Sequence, residues 1–195
     1  MALALDIARI PAPSPMVVGQ VSPSDGVVSL GPIQQRDLDS LFVWLNDARA
    51  ATLDLPYRPL DCLAFRDWLD KLPRETSQIL FAIREAGRPE MIGFVLFKNF
   101  QSVYQTAELG VRIGDESERG KGYGTRAVRL ALDYAWSVLN LHRVSLNVLA
   151  HNERAIVSYL HAGFVAEGRL REAAFIDGLW RDVVAMAALR PTQTA

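Results

Sequence analysis

Glu118-Arg119-Gly120-Lys121-Gly122-Tyr123-Gly124-Thr125 lies between a strand-like segment, 106–113, and the start of a long amphipathic helix. A glycine-rich turn at a strand-to-helix junction suits an anion. The glycines let backbone approach a ligand closely, and first-turn amides have no acceptor inside the helix. The helix dipole adds partial positive charge at the same point, so a phosphate is favoured there. Arg119 and Lys121 add full charges beside those amides. A P-loop needs Gly-Lys-Ser/Thr at its end, but Lys121 precedes its glycine. A dinucleotide fingerprint needs Gly or Ala where Thr125 stands. The spacing that remains is Arg119-x-x-Gly122-x-Gly124.

Downstream, Ala127, Val128, Ala131, Leu132, Ala135, Trp136 and Leu139 fall on one side of the helix. Residues 143–149 read as a strand, parallel to 106–113 across that helical crossover. Asn152 is an N-cap for a helix over 153–162, and Gly163 is suited to end it. Segments 164–175 and 179–189 flank Asp177-Gly178, a hairpin turn signal.

Upstream, the short apolar runs 79–83 and 91–97 join 106–113 as an antiparallel meander. Helical spacing predicts helices over 36–45 and after Asp61, which can cap the second. A first strand is expected over 27–33. Residues 1–26 carry Pro11, Pro13, Pro15 and Pro23 and read as an extended arm or tail. The expected organisation is an arm (1–26), one domain (27–190) and a short tail (191–195). The element order is β-α-α-β-β-β-α-β-α-β-β.

Composition narrows the class. The chain has 195 residues, half of them hydrophobic, with a formal net charge of -1. That balance recommends neither nucleic acid nor an anionic membrane surface as a partner. No apolar run reaches the roughly 18 residues a spanning helix needs. Residues 1–10 are interrupted by Asp6 and Arg9 and make a poor secretory segment. Cys62 is the single cysteine, which excludes an internal disulfide and suits a reducing, cytoplasmic setting. His142, His151 and His161 are too scattered to form a metal site, and no metal is expected.

The element order and the glycine spacing together resemble the GCN5-related N-acetyltransferase superfamily, most of all its RimJ/RimL and spermidine-acetyltransferase type of branch. The resemblance covers about 27–189. It is carried by Trp44-Leu45-Asn46-Asp47, Ala107-Glu108-Leu109-Gly110, the stretch from Arg119 to Thr125, Asn152-Glu153-Arg154-Ala155-Ile156 and Tyr159-Leu160-His161-Ala162-Gly163-Phe164. It implies an α/β fold of mixed α+β character, with a mostly antiparallel twisted sheet containing one splayed parallel pair. It also implies transfer of an acetyl group from acetyl-CoA to a primary amine by direct attack in a ternary complex. The acceptor is left open: a small-molecule amine such as an amino sugar or polyamine, or a peptide N-terminus. The fold alone would also suit a non-catalytic acyl-CoA-binding module.

The resemblance further implies roles. Backbone groups of Val111, Arg112 and Ile113 would pair with the pantetheine arm of acetyl-CoA like an added strand. Arg119, Gly120, Lys121, Gly122, Tyr123, Gly124 and Thr125 would hold its pyrophosphate, with Asn152 and Ala155 near the arm. Tyr159 is the expected general acid toward the leaving thiolate, although its place on an apolar helix face equally suits a core residue. Glu108 is the candidate base, through a water, or else an ion-pair partner of Arg112. Asp115, Glu116 and Glu118 are expected to face solvent or to attract a cationic acceptor. Trp44, Asp54, Tyr57, Phe175 and Trp180 are expected around the acceptor, with Asp61 and Asp177 as further carboxylates. Homodimers are common among relatives, which leaves room for one here.

Overall fold

The computed structural model describes residues 23–47, 59–72, 77–176 and 178–192. Strand β1 (Val28–Gly31) leads through a 3-10 turn (Gln35–Asp37) into helix α1 (Leu38–Leu45), followed by α2 (Cys62–Lys71). Strands β2 (Gln78–Glu85), β3 (Met91–Gln101) and β4 (Thr106–Ile113) precede α3 (Tyr123–Ser137). Then come β5 (Arg143–Leu149), α4 (Glu153–Ala162), β6 (Val165–Ile176) and β7 (Leu179–Leu189). The expected element order is the one observed.

Several ends differ from expectation for local reasons. β1 stops at Gly31 because Pro32 has no amide to donate to the ladder. The first helical turn is 3-10 because buried Asp37 turns its carboxylate back onto the Gln34 amide, 2.7 Å away, and onto Arg84. β3 runs to Gln101, past the polar Lys98-Asn99, where Asn99 takes a φ of 54° and the register with β4 shifts. Asp61 does cap α2, accepting from the Leu63 and Ala64 amides.

The described strands form one sheet in the order β1-β2-β3-β4-β5-β7-β6. All neighbours are antiparallel except β4 and β5. Even positions of β4 face α1 and α2, where Leu41, Trp44, Phe65, Ala82 and Met91 form a small core. Odd positions face α3 and α4. Ala107 and Leu109 are buried there with Val128, Ala131, Val144, Leu146 and Phe164 in the main core. Removing these side chains from water on both faces of a central strand is the principal stabilising term of the fold.

One departure from regular pairing positions the site. β4 and β5 pair only through Thr106↔Arg143, Ala107↔Val144 and Glu108↔Ser145. Beyond Glu108 each strand keeps its other neighbour. β4 stays on β3 as far as Ile113↔Gly93, and β5 stays on β7 as far as Leu149↔Val183. The two strands therefore part in mid-sheet, and the β4 edge after Glu108 has no ladder partner toward β5. Asn152 and α4 begin just past the end of β5, while the glycine stretch and α3 begin just past the end of β4.

Candidate active site

The glycine stretch forms a tight anion nest. Gly120 and Gly122 both have φ near 83°, a left-handed conformation that residues bearing a β-carbon resist. Gly122 is the N-cap of α3 and offers no side-chain acceptor, so the amides of Tyr123, Gly124 and Thr125 point away from the helix without an internal partner. Gly124 sits against Ile113: a β-carbon there would lie 3.7 Å from Ile113 Cγ1. The Thr125 hydroxyl lies 2.7 Å from that of Ser158, which joins the first turn of α3 to α4.

The charged residues have definite partners. Arg119 donates to the carbonyls of Ile113 (3.3 Å) and Gly114 (2.9 Å), fastening the end of β4. Lys121 pairs with Glu118 at 2.8 Å. Glu118, expected to face solvent, is instead only 12% exposed and also meets Arg88 at 3.2 Å. Hydrogen bonding from Lys121 and then Arg88 holds its carboxyl below the usual range. The Tyr123 ring is buried, and its hydroxyl donates to Glu85 on β2. That bond pushes the phenol above its ordinary value and the Glu85 carboxyl below its own. The side chain of Tyr123 is thus a strut, and its backbone is what faces the nest.

Sequence reasoning passed over Arg154. Its guanidinium on the first turn of α4 lies 3.5 Å from the place a Gly120 β-carbon would take. A basic residue two places after the N-cap was a readable signal, since the resemblance already put Asn152 and Ala155 near the arm of acetyl-CoA. Asn152 caps α4 by accepting from the Ala155 amide at 3.2 Å, so both residues belong to the start of that helix.

On the α1 and α2 face, Glu108 meets Lys98, its cross-strand partner, at 3.9 Å. It does not pair with Arg112. Arg112 reaches past it to α1, donating to the Trp44 carbonyl and lying 3.3 Å from Asp47 Oδ2. Burial lowers its pKa, and the neighbouring Asp47 opposes that shift. Next to this contact the Asn46 amide accepts from the Leu60 N–H at 2.8 Å and donates to the Leu60 carbonyl at 3.1 Å. The two ends of segment 47–59 are thereby tied together beside β4.

Tyr159 is half-buried on α4, its ring 5.7 Å from Phe164 in the main core. Trp44, expected as an acceptor wall, is buried in the smaller core, stacked against Gly114. Phe175 and Trp180 are exposed on β6 and β7, their rings 5.1 Å apart. Asp54, Tyr57 and Asp177 lie outside the described residues. The fold brings Val111 to Ile113, the glycine nest and the start of α4 at Asn152 to the region where β4 and β5 part, with Ala155 and Tyr159 further along α4. Among the described residues no helix is long and apolar enough to cross a membrane. No cluster of His, Cys, Asp and Glu there could hold a metal ion.

This arrangement has counterparts. Residues 28–165 match the acetyltransferase (GNAT) domain family. The chain is 34% identical over 166 residues to spermidine N(1)-acetyltransferase of Escherichia coli K12, covering 84% of this chain and 87% of that one. It is 29% identical over 127 residues to the ribosomal protein uS5-alanine N-acetyltransferase of the same organism, covering 65% of each. The crystal structure of spermidine N-acetyltransferase from Vibrio cholerae, in complex with CoA and spermine, superimposes with a TM-score of 0.77 at 27% identity. The match covers 85% of this chain and 96% of that one.

Proposed function

The chain belongs to the acetyltransferase (GNAT) family and is an acetyl-CoA-dependent N-acetyltransferase, and from that premise we propose that its acceptor is a polyamine, acetylated on a primary amine. The observation that carries the acceptor is the similarity to spermidine N(1)-acetyltransferase over 84% of the chain. The geometry supports a division of labour across β4. Its α3 and α4 face takes the donor, and its α1 and α2 face meets the acceptor.

The residues fit the donor. An open strand edge, a two-glycine nest at a helix N-terminus and a half-buried phenol suit an amide-containing arm, a pyrophosphate and a thiol in turn. The backbone of Val111, Arg112 and Ile113 holds the arm; Gly120 to Thr125 hold the pyrophosphate, with Arg119, Lys121 and Arg154 adding charge. Acetyl-CoA supplies an acetyl group activated as a thioester. In the transfer the amine nitrogen forms the new C–N bond, the C–S bond breaks, one proton leaves nitrogen and one arrives at sulfur. Tyr159 is the proton donor at sulfur. Glu108 is the proton acceptor on the amine side, while Lys98 across the strand steadies its carboxylate. Positioning of the two reactants supplies the larger part of the acceleration.

A second reading has its own support, since the uS5-alanine enzyme acts on a protein. A thiol-release assay over spermidine, spermine, an Ala-N-terminal peptide and an amino sugar separates the two. Spermidine turnover well above the peptide is the expected result. Peptide turnover with no polyamine turnover would replace the polyamine assignment.

A further inference from the structure

Lys121 stands inside the nest, between Gly120 and Gly122, yet its charge is directed back to Glu118 at 2.8 Å. Glu118 belongs to the 3-10 turn (Glu116–Glu118) that precedes the nest. Its carboxylate is well shielded from solvent and is held from the other side by Arg88, 3.2 Å away. Arg88 also meets Glu85 at 2.9 Å, and Glu85 accepts from the Tyr123 hydroxyl. A chain of contacts therefore leaves the nest at Tyr123 and re-enters it at Lys121. It passes through the turn between β2 and β3, where Gly87 has a φ of 80°.

This network is not what an anion site needs for affinity alone. A carboxylate beside the nest repels phosphate, and it engages a cation that phosphate would otherwise take. Arg88 keeps Glu118 in place whether or not Lys121 stays with it. Lys121 is the movable member: its side chain is 47% exposed on a flexible stem, against 12% for Glu118.

We propose that Glu118 is a competing counter-charge for Lys121, exchanged against the donor's phosphates, which weakens CoA binding and speeds release of the CoA product. The inference rests on the acetyl-CoA reading of the nest. It assigns Glu118 a positioning role with no contact to the reacting atoms. Each turnover leaves CoA in the nest with all its phosphates, so an enzyme that holds them too firmly is limited by product release.

The test measures CoA binding by titration calorimetry and CoA dissociation by stopped flow. Glu118→Gln keeps the shape and removes the charge. It should bind CoA about fivefold more tightly, the scale of one exposed ion pair, through slower dissociation. Glu118→Asp keeps the negative charge on a shorter stem that holds Lys121 less closely, and should tighten binding by a smaller factor. Lys121→Met should weaken binding, and adding Glu118→Gln to it should tighten binding by clearly less than it does in the wild type, since only the direct repulsion of phosphate is then left to relieve. No tightening in either Glu118 variant overturns the proposal, as does equal tightening when Met occupies 121. Wild-type protein that binds no CoA would overturn the donor reading itself. Wild-type binding without tightening in the variants overturns only the role of Glu118.

Discussion

Trp44 lies so close to Gly114 that a β-carbon on that glycine would be 2.0 Å from its Cε2 atom. The contact joins α1 to the end of β4, where Arg119 holds the Gly114 carbonyl. Gly114→Ala must displace the indole and, with it, the Trp44 carbonyl that receives Arg112. Overpacking of this kind costs about 1–3 kcal/mol. Urea unfolding should show a loss in that range together with weaker acetyl-CoA binding. An unchanged midpoint would refute the packing argument.

Asn46 bonds both backbone groups of Leu60, and so closes segment 47–59. Asn46→Ala leaves those groups without partners, at a cost of about 1–3 kcal/mol. Asn46 stands between Trp44 and Asp47, which take Arg112 on the proposed acceptor face, so KM for the amine should rise more than KM for acetyl-CoA. Equal changes in both would detach the Asn46 contact from the acceptor.

Tyr159→Phe keeps the ring against Phe164 and removes only the hydroxyl. Loss of a general acid lowers turnover by about 10²-fold or more. CoA affinity measured by calorimetry should be retained. Full turnover in this variant would return Tyr159 to a packing role.

Arg154 beside Gly120 adds charge that the backbone nest lacks. Arg154→Ala should weaken acetyl-CoA several-fold at low salt, with the difference shrinking as ionic strength rises. Salt-independent weakening would mean that the guanidinium acts through packing.

Several carboxyls sit below their ordinary range. Tyr123 is the main cause at Glu85, Lys121 at Glu118, Arg143 at Glu167 and the Glu172 amide at Asp182. A folded value below the unfolded one stabilises the protein at pH above the unfolded carboxyl range. The contribution is lost as pH falls through the folded value. The unfolding midpoint should therefore be level near neutrality and decline below about pH 4. Combining Glu167→Gln with Asp182→Asn should make that decline shallower. An identical acid limb would show that these pairs are not its source.

The sequence by itself determined the element order, the glycine nest, the caps at Asp61 and Asn152, and the strand and helix bounds at 106–113, 143–149 and 153–162. These rest on local chemistry: side-chain period, backbone freedom at glycine, and a capping oxygen two or three residues from the amide it receives. Tertiary structure alone decided which partners the polar side chains take. Arg112 passes over nearby Glu108 for α1, Glu118 turns inward to Lys121 and Arg88, and Trp44 settles on Gly114 rather than at the acceptor wall. A splayed parallel pair was implied by the resemblance, but where β4 leaves β5, after Glu108, is decided there too, because each strand is held along its length by a different neighbour. Long flexible side chains can reach many partners, and no local period of the sequence distinguishes among them. Only packing the two layers onto the sheet fixes which ones come within reach, and with them the surroundings of the nest.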